Sequence, residues 1–414
     1  MSGEEESCHH LIQEEHVKRT LKADKGDCGE LLEWSVEDFT KKGDNFASLI
    51  ARVKVSYLMK EEQCSTSYVV KFRYDRSPDL VKNLFKAFFI KEVGFYEHIA
   101  PLLNAELRSV GKEALHIPKF YCSILDEEFG LMFIEDLHPR GFKMNDKLVG
   151  MDLSHTTLVF EELARLHAAS TLLQGKKSLQ ELTDEFEFLK FDFHKYPGPS
   201  KENFKKSFES CFPTVNEILR RKGGYEKAQE WLCSNESALE DILERNLVLE
   251  EPFAVICHGD CWNNNMLFRY NDKGIPVEVM MIDLQVSRAA SLATDLRYLT
   301  GLNLHPEVMK PSNLNDLLAS YHKSFNAVMK CDGRSVPFSL QQLKEEYKKR
   351  YEWGLFFLML PFSYIVKPSE YPEGSTKSLA MTVDENINKV DKMYPKFIDK
   401  IIHSFSEIVE ERFI

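Results

Sequence analysis

Alternating apolar and polar residues predict a β-sheet in the first third of the chain. The stretch ARVKVSY, residues 51–57, changes character at nearly every position, which is the period-two pattern of a half-buried strand. Strand-like segments precede it from Trp34 and follow it in SYVVKFRY, residues 67–74. Two further strand candidates, YCSILDEE and GLMFIEDL, lie between Tyr121 and Leu137.

A helical pattern separates the third and fourth of these strands. Residues 80–103, LVKNLFKAFFIKEVGFYEHIAPLL, carry apolar residues at helical spacing, among them Leu84, Phe88, Val93 and Tyr96. The predicted element order is therefore β-β-β-α-β-β, which indicates a small, mostly antiparallel sheet with one main helix.

Helices dominate the prediction after Gly141. The segment TTLVFEELARLHAASTLL, residues 156–173, has a strong helical pattern, and residues 175–250 and 290–414 are also mainly helical in character. Residues 268–285 differ, because two apolar segments there flank an Asn-Asp-Lys-Gly turn, which predicts a hairpin.

These patterns predict an α+β fold in three parts. We expect a polar amino-terminal extension at residues 1–30, a sheet domain at residues 31–140 and a mainly helical domain at residues 141–414. The boundary between the second and third parts rests on a shift of composition near residues 138–145.

Composition and charge narrow the class of protein. Hydrophobic residues make up 43% and charged residues 29% of the chain, which is typical of a soluble globular protein. A net charge of −12 argues against a nucleic-acid partner, since such binding needs a basic surface. The nine cysteines are scattered without a disulfide framework, and the acidic start lacks the features of a secretory signal. Free thiols in a reducing compartment are expected, and hence a cytoplasmic protein.

The most apolar segment does not predict a membrane span. WGLFFLMLPFSYIV, residues 353–366, is shorter than the ~18 apolar residues that a span requires, and Pro361 interrupts it. A pair of buried helices is the better interpretation, although the aromatic residues of this segment would also suit the lining of an apolar pocket.

The stretch ICHGDCWNNNMLFRY, residues 256–270, concentrates residues that carry chemistry. A zinc site would draw on Cys257, His258 and Cys261, but no second pair of cysteine or histidine ligands lies at a suitable spacing. A cysteine nucleophile would need a base, and none can be named. Both interpretations are therefore minor ones.

Phosphoryl transfer explains this stretch better. That chemistry needs a carboxylate for the attacking hydroxyl, oxygen ligands for Mg²⁺ and a cation at the phosphates. In the catalytic loop of kinases an aspartate precedes a Mg²⁺-binding asparagine by five positions, and Asp260 precedes Asn265 at that spacing. Asp283, at the end of the apolar segment VMMI, occupies the place of a second Mg²⁺ carboxylate.

Residues of the predicted sheet domain complete the set. Lys71 lies inside the strand SYVVKF, where a phosphate-pairing lysine is expected, and Glu92 lies in the next helix, where it can hold that lysine. The turn GDNFAS, which contains Gly43, Asn45 and Ser48, offers backbone N–H groups for phosphates. Each residue alone has an ordinary structural explanation, but their order along the chain favours phosphoryl transfer.

With these motifs, the chain resembles the ecdysteroid kinase-like family of insects, also called CHK kinase-like. That family is grouped with the aminoglycoside phosphotransferases and choline kinases, which share the two-lobed protein-kinase-like fold. The resemblance extends over about residues 35–370, through GDNFAS, YVVKF, FFIKEVGFYEHIAP, MFIEDL, LARLHAAS, HGDCWNNNMLF and MMIDLQ. The family usually reads D-F-Q where this chain reads D-L-Q, with Leu284 in the middle.

The resemblance implies a role for each matching residue. Asp260 would be the catalytic base, and Asn265 and Asp283 would bind Mg²⁺. Lys71 would contact the phosphates of ATP and be oriented by Glu92. In addition, the backbone of Glu135 and Leu137 would hold the adenine, and His258 and Asp295 would act as scaffolding for the loop.

The acceptor is expected to be a small molecule. Only twelve positions separate Asp283 from Asp295, and no A-P-E element follows, so there is little chain for a peptide-docking platform. The resemblance indicates an ecdysteroid or a related steroid or xenobiotic alcohol as the acceptor, with ATP and Mg²⁺ as cofactors and no obligate protein partner. A choline- or ethanolamine-type kinase and a non-catalytic nucleotide-binding protein of the same fold are the alternatives.

Overall fold

The computed structural model describes residues 8–39, 49–74, 79–146, 149–190, 205–206, 208–209, 211–235, 238–365, 379–393 and 397–410. Its amino-terminal part contains the strands β1 (Gly29–Asp38), β2 (Leu49–Met59), β3 (Glu62–Tyr74), β4 (Phe120–Leu125) and β5 (Phe129–Glu135). They form one antiparallel sheet of five strands in the order β1-β2-β3-β5-β4. The five predicted strands are thus confirmed.

Alternation of side chains gives β2 one buried face, as the sequence pattern predicts. Val53 is fully buried, whereas its neighbour Lys54 is exposed. Lys71 lies on the central strand β3, opposite Ile50 of β2 and Met132 of β5. The lysine is therefore held between two neighbouring strands.

The helix that follows β3 is interrupted by one wider turn. Helix α2 (Asp79–Gly94) continues through a π-helical turn (Phe95–Ile99) into α3 (Ala100–Ser109). The sequence predicted one continuous helix here, and periodicity alone does not distinguish a π turn from the α-helix around it. Such turns are frequent at functional sites, and Glu92 lies just before this one.

The predicted polar extension contributes to the packing of the sheet. It contains helix α1 (Glu14–Lys25), whose Val17 and Leu21 are buried in the same apolar cluster as Val53 of β2 and Phe133 of β5. The described part of the extension is therefore packed against the sheet, although its polar composition gave no sign of this.

The rest of the chain is mainly helical, which confirms the α+β fold class. Its helices are α4 (Leu153–Gln174), α5 (Leu179–Glu185), α6 (Cys211–Lys222), α7 (Glu226–Asn235), α8 (Leu239–Asn246), α9 (Leu292–Asn303), α10 (Pro311–Met329), α11 (Leu340–Lys349), α12 (Tyr351–Ile365), α13 (Leu379–Met393) and α14 (Phe397–Glu410). The long helices α4 and α10 pack along each other, as do α9 and α12.

Two small sheets within the helical part bring two loops together. Their strands are β6 (Lys143–Met144), β7 (Ala254–Cys257), β8 (Met266–Tyr270), β9 (Pro276–Met281) and β10 (Arg288–Ser291). The first sheet has the order β6-β8-β9, and the second pairs β7 with β10. The antiparallel pairing of β8 with β9 confirms the predicted hairpin. One loop joins β7 to β8, and the other joins β9 to β10. The pairing of β7 with β10 places these two loops side by side.

Helix α12 corrects one detail of the prediction. The sequence indicated a pair of buried helices interrupted at Pro361, whereas a single helix runs from Tyr351 to Ile365. Its residues Trp353 and Phe357 are buried in the main core, and this packing outweighs the hydrogen bond that proline cannot make. None of the helices in the described ranges has the length and hydropathy of a membrane span.

Candidate active site

The loop between β7 and β8, residues 258–265 and here called the HGD loop, presents Asp260 between two donors. The hydroxyl of Tyr298 on α9 donates to Oδ1 of Asp260 at 2.6 Å, and Nδ2 of Asn265 donates to Oδ2 at 2.9 Å. The same amide nitrogen also donates to the backbone oxygen of Asp260 at 3.0 Å. Donors on both oxygens define the plane of the Asp260 carboxylate. Because Asn265 donates through Nδ2, its Oδ1 is the atom that can bind a cation.

Gly259 allows the HGD loop to approach the neighbouring loop. Its φ angle is +83°, a conformation that favours glycine. A Cβ atom at this position would lie 2.2 Å from the backbone oxygen of Val286. Nη2 of Arg288 donates to the backbone oxygen of Gly259 at 3.1 Å and closes the contact from the other side.

Asp295 of α9 holds the HGD loop from behind. Its Oδ2 accepts the backbone N–H of His258 at 2.7 Å, and its Oδ1 accepts that of Gly259 at 2.9 Å. Nε2 of His167 lies 3.1 Å from Oδ2. Burial alone would raise the pKa of Asp295, but His167, His258 and the backbone donor outweigh it and keep this pKa below its usual value. The carboxylate is thus a charged anchor for the loop.

His258 connects the two loops through a neutral ring. Its Nε2 lies 3.1 Å from the backbone oxygen of Ile282, and its Nδ1 accepts the backbone N–H of Asp260 at 3.3 Å. Burial lowers the pKa of His258, which keeps the imidazole uncharged near neutral pH. Both contacts are with backbone atoms, as expected of the scaffolding that the family resemblance implies.

Lys71 bridges two carboxylates that are far apart in the sequence. Its Nζ lies 2.5 Å from Oε2 of Glu92 and 2.6 Å from Oδ1 of Asp283. Burial alone would lower the pKa of Lys71, but Asp283 and Glu92 outweigh this effect and raise it above its usual value. The lysine is therefore a permanent cation at the junction of the sheet with the helical part.

The backbone of Asp283 is in an uncommon conformation. Its φ angle is +65°, in the left-handed region that non-glycine residues rarely occupy. The carboxylate is held on both sides, since Lys71 contacts Oδ1 and Nε2 of Gln285 donates to Oδ2 at 3.1 Å. An outlier that the surrounding contacts maintain in this way is a pointer to function.

The environment of Asp260 tunes its acidity. Burial and the charge of Asp283 raise the pKa of Asp260 to about 6, while Tyr298 and Asn265 act in the opposite direction. A carboxylate with this pKa is mostly ionised at neutral pH and is a stronger base than an exposed one. General bases work best when their pKa lies near the operating pH.

The two other candidate chemistries find no support in this geometry. Cys257 and Cys261 are fully buried, and burial raises both thiol pKa values well above the usual range, so neither is a nucleophile. Among the described residues, a group that could hold a metal occurs at His167, Cys257 and Asp295, and not at Cys257, His258 and Cys261, the residues of the minor zinc interpretation. The carboxylate of that cluster is already engaged by backbone N–H groups, which makes it part of the loop scaffold.

The predicted adenine segment lies where β5 leaves the sheet. Glu135 is the last residue of β5, and Leu137 follows two positions later and is buried. Between them, the carboxylate of Asp136 accepts Nε of Arg52 at 2.7 Å and the hydroxyl of Ser67 at 2.7 Å. The segment is thus fastened to the sheet, while its contact with adenine stays a prediction.

The predicted phosphate loop, with Gly43, Asn45 and Ser48, lies outside the described residues, between β1 and β2. The chain is described again from Leu49, whose partner in β3 is Phe72, next to Lys71. Leu49 is therefore beside the lysine.

Two residues of the site were not predicted. Tyr298 and Gln285 hold the carboxylates of Asp260 and Asp283, respectively. A signal for Tyr298 was present in the sequence, because it lies three positions after Asp295, and residues at this spacing share one face of a helix. Gln285 belongs to the D-L-Q motif but carried no assigned role.

The chain is similar to several known proteins. No match was found among curated proteins. Two solved structures with similar folds are the amicoumacin kinase hAmiN in complex with AMP-PNP, Ca²⁺ and Ami, and an aminoglycoside phosphotransferase from Alicyclobacillus acidocaldarius subsp. acidocaldarius DSM 446. The first is 10% identical over 94% of this chain and 95% of its own, with a TM-score of 0.47. The second is 12% identical over 91% of this chain and 93% of its own, with a TM-score of 0.41.

A lysine on the third strand paired with a glutamate in the following helix is the arrangement of the protein-kinase-like fold, and Lys71 and Glu92 show it here. Residues 42–331, which are most of the chain, match the sequence pattern of the ecdysteroid kinase-like family. The chain therefore belongs to the ecdysteroid kinase-like family.

Proposed function

We propose that this protein is an ATP- and Mg²⁺-dependent kinase that transfers the γ-phosphate to a hydroxyl of a small lipophilic alcohol, an ecdysteroid or a related steroid or xenobiotic alcohol. One observation carries the proposal. Lys71 and Glu92 from the sheet domain meet Asp283 from the helical domain, and Asp260 and Asn265 lie on the adjacent HGD loop. Family membership supports a small-molecule kinase.

The residues present fit a magnesium–nucleotide complex. Asn265 and Asp283 offer an amide oxygen and a carboxylate, the oxygen ligands that Mg²⁺ prefers. ATP would supply the phosphoryl group, and the bound ion would neutralise the charge that develops as this group is transferred. The positive φ of Asp283 and the orientation of the Asn265 amide are the features of this structure that favour such a site.

Lys71 has the position and the charge to bind phosphate oxygens. Its side chain is only 7% exposed and its ammonium is permanently charged, so it presents a fixed cation rather than a mobile one. Glu92 holds it at 2.5 Å from the helix side. Glu92 thereby orients the lysine, while the backbone of Glu135 and Leu137 would hold the adenine where β5 of the same sheet ends.

Asp260 acts as the base in this proposal. Its carboxylate accepts the proton of the acceptor hydroxyl and orients that oxygen for attack. Tyr298 and Asn265 keep the carboxylate in place, and its raised pKa of about 6 makes it a suitable proton acceptor near neutral pH.

The short connection after Asp283 favours a small acceptor. Residues 284–287 lead directly into β10, which pairs with β7, and α9 begins at Leu292. The described chain at this point contains no long segment on which a peptide could dock.

We also propose the cytoplasm as the compartment, which the scattered cysteines of the sequence support, since they form no disulfide framework. The division into an extension, a sheet domain and a helical domain at the predicted boundaries is part of the proposal.

The direct test is a mass-shift assay. The protein is incubated with Mg²⁺-ATP and a panel of ecdysteroids, other steroid alcohols and xenobiotic alcohols, with choline and ethanolamine included. Phosphorylation of a lipophilic alcohol is the expected result. Transfer to choline or ethanolamine alone would favour the related kinase class, and binding of Mg²⁺-ATP without any transfer would favour a non-catalytic protein.

The substitution Asp260→Asn tests the role of the base. We expect a loss of transfer of about 100-fold or more, because the amide cannot accept the proton. Binding of Mg²⁺-ATP and the melting temperature should change little, since the amide keeps the size of the side chain. Asp272→Asn, in the exposed turn between β8 and β9, is the matched control and should transfer phosphate normally. Near-normal turnover by Asp260→Asn would assign the base elsewhere.

A further inference from the structure

Helices α9 and α12 approach each other unusually closely beneath the HGD loop. Gly301 of α9 faces Gly354 of α12, and a Cβ atom on Gly301 would lie 2.5 Å from the backbone oxygen of Gly354. Two glycines at this crossing remove the side chains that would hold the helices apart. The face of α12 near this crossing is thereby brought up to α9.

The close approach places an aromatic residue of α12 on Tyr298. The ring of Phe357 lies 3.7 Å from the ring of Tyr298, centroid to centroid, with 31° between the two planes. Both side chains are buried, at 3% and 4% exposure. A ring packed on one face has little rotational freedom, so the hydroxyl at its far end has a defined position.

That hydroxyl contacts the proposed base. It donates to Oδ1 of Asp260 at 2.6 Å, a short and charge-assisted hydrogen bond across 38 positions of sequence. Asn265 donates to the other carboxylate oxygen. Either donor alone would leave the carboxylate free to rotate about its last bond, whereas the two together fix its plane.

A second aromatic residue of α12 supports the same loop. Trp353 lies one helical turn before Phe357, and the guanidinium of Arg288 stacks over its ring at 5.3 Å. Arg288 in turn donates to the backbone oxygen of Gly259, the residue before Asp260. One face of α12 thus supports the side chain of Asp260 through Tyr298 and its backbone through Arg288.

We propose that Tyr298, held by Phe357 of α12, is a positioning residue that fixes the carboxylate plane of Asp260 for attack by the acceptor hydroxyl. This inference rests on the proposed function, because it assigns Tyr298 a part in the same reaction. Tyr298 acts through Asp260 and is not itself a proton acceptor, since its hydroxyl donates to the carboxylate. Its loss should therefore slow the chemical step and leave the binding of the nucleotide intact.

The test is Tyr298→Phe, which keeps the ring on Phe357 and removes only the hydroxyl. Initial rates are measured with Mg²⁺-ATP and ecdysone, and with water as the acceptor through the rate of ATP hydrolysis. We expect kcat to fall about 10- to 100-fold, the effect of a misplaced catalytic group, while KM for ATP stays within about twofold. The affinity for Mg²⁺-AMP-PNP, measured by calorimetry, should equally stay within about twofold of the wild type.

Tyr347→Phe is the matched control. The hydroxyl of Tyr347 is also buried and also bonds to α9, at 2.8 Å from Oγ1 of Thr300. Its removal takes away a buried tyrosine hydrogen bond to the same helix, a neutral one that does not reach Asp260. We expect the melting temperature to fall in both variants, less in the control because its bond is not charge-assisted, and kcat to stay normal in the control alone.

Phe357→Leu provides a second variant in which the hydroxyl remains. Leucine keeps an apolar contact but not the flat face against Tyr298, so kcat should fall by a smaller factor in the same direction. This variant separates the support of the ring from the hydrogen bond itself.

The outcomes are distinguishable. If the wild type transfers phosphate and Tyr298→Phe matches its kcat, the inference is wrong and the proposed function stands. If kcat falls equally in Tyr298→Phe and Tyr347→Phe, in step with stability, Tyr298 is only a packing residue and the inference is also wrong. If the wild type neither phosphorylates any alcohol nor hydrolyses ATP, the proposed function is wrong and this inference falls with it.

Discussion

Asp260 is surrounded by a tyrosine hydroxyl, an amide and a second carboxylate, and these neighbours determine what it can do. The donors from Tyr298 and Asn265 favour its charged form, whereas burial and the charge of Asp283 favour the neutral form. The resulting pKa of about 6 leaves a base that is charged at neutral pH yet stronger than an exposed aspartate.

At this scale the sequence predicted the residues that lie close together in the chain. Asp260 and Asn265 belong to one loop, so their spacing alone indicates that they meet. The contact with Tyr298 depends on how α9 packs, and the φ angle of Asp283 depends on the contacts around it. The spacing of Tyr298 from Asp295 indicates only that the two share a helix face, and the φ angle of Asp283 leaves no local pattern in the sequence.

Asp295→Asn is expected to weaken the anchor of the HGD loop. An amide cannot accept both backbone N–H groups with the strength of a carboxylate, so the free energy of unfolding should fall by about 2 to 3 kcal/mol near neutral pH. Urea unfolding of the variant and the wild type measures this difference.

The same difference should depend on pH in a defined direction. Because the pKa of Asp295 lies below that of a free aspartate, its charge stabilises the fold above about pH 3.9, and this contribution is lost as the pH falls through the lower native value. The gap between wild type and variant should therefore be constant around neutrality and narrow below about pH 4. A gap that widened on acidification would contradict the role of Asp295 as a charged anchor.

At the scale of elements, local periodicity predicted most of the structure and tertiary packing decided the rest. Five strands, the main helix and the β8–β9 hairpin follow from patterns within each segment. The π turn after α2, the unbroken course of α12 past Pro361 and the pairing of β7 with β10 do not. Those features arise where another element supplies the contacts that keep them in place.

Helix α1 offers a test of packing that composition did not suggest. Leu21 is 1% exposed and lies in the apolar cluster of the sheet, so Leu21→Ala should lower the free energy of unfolding by about 2 to 5 kcal/mol. Leu32→Ala, at a position of β1 that is 50% exposed, is the control and should stay within about 0.5 kcal/mol of the wild type. Equal stabilities of both variants, measured by chemical denaturation, would mean that α1 does not stabilise the sheet.

For the whole molecule, the contact between Lys71 and Asp283 matters most. It joins the central strand of the sheet to the loop after the hairpin, across 212 positions of sequence. The order of motifs along the chain predicted that these residues belong to one site. It did not predict that the lysine already contacts both carboxylates, since that depends on how the two parts of the fold meet.

Nucleotide binding should therefore be visible as a stability change of the whole protein. Mg²⁺-ATP at 100 times its dissociation constant should stabilise the wild type by about 2.7 kcal/mol, which a thermal melt detects. Lys71→Met should lose most of this shift, because the fixed cation for the phosphates is gone, whereas Asp260→Asn should keep it.

The double variant Lys71→Met/Glu92→Gln controls for a folding defect. Removing only the lysine leaves a buried carboxylate without its partner, and neutralising Glu92 removes that penalty. The double variant should melt closer to the wild type than the single one and still show no shift with Mg²⁺-ATP. A normal shift in either variant would place the phosphates away from Lys71.

The bridge from Lys71 to Asp283 has a consequence for the order in which ligands bind. A metal ion that arrives alone has to compete with the ammonium group for the same carboxylate oxygen, 2.6 Å from Nζ. In the proposed complex, phosphate oxygens would replace Asp283 as the partner of the Lys71 ammonium, which stays on Glu92, and that carboxylate oxygen would become available to the ion. Binding would then be cooperative, and by thermodynamic linkage the two ligands would strengthen each other by the same factor. We expect the protein to discriminate against free Mg²⁺ and to take up metal and nucleotide together, as a single complex.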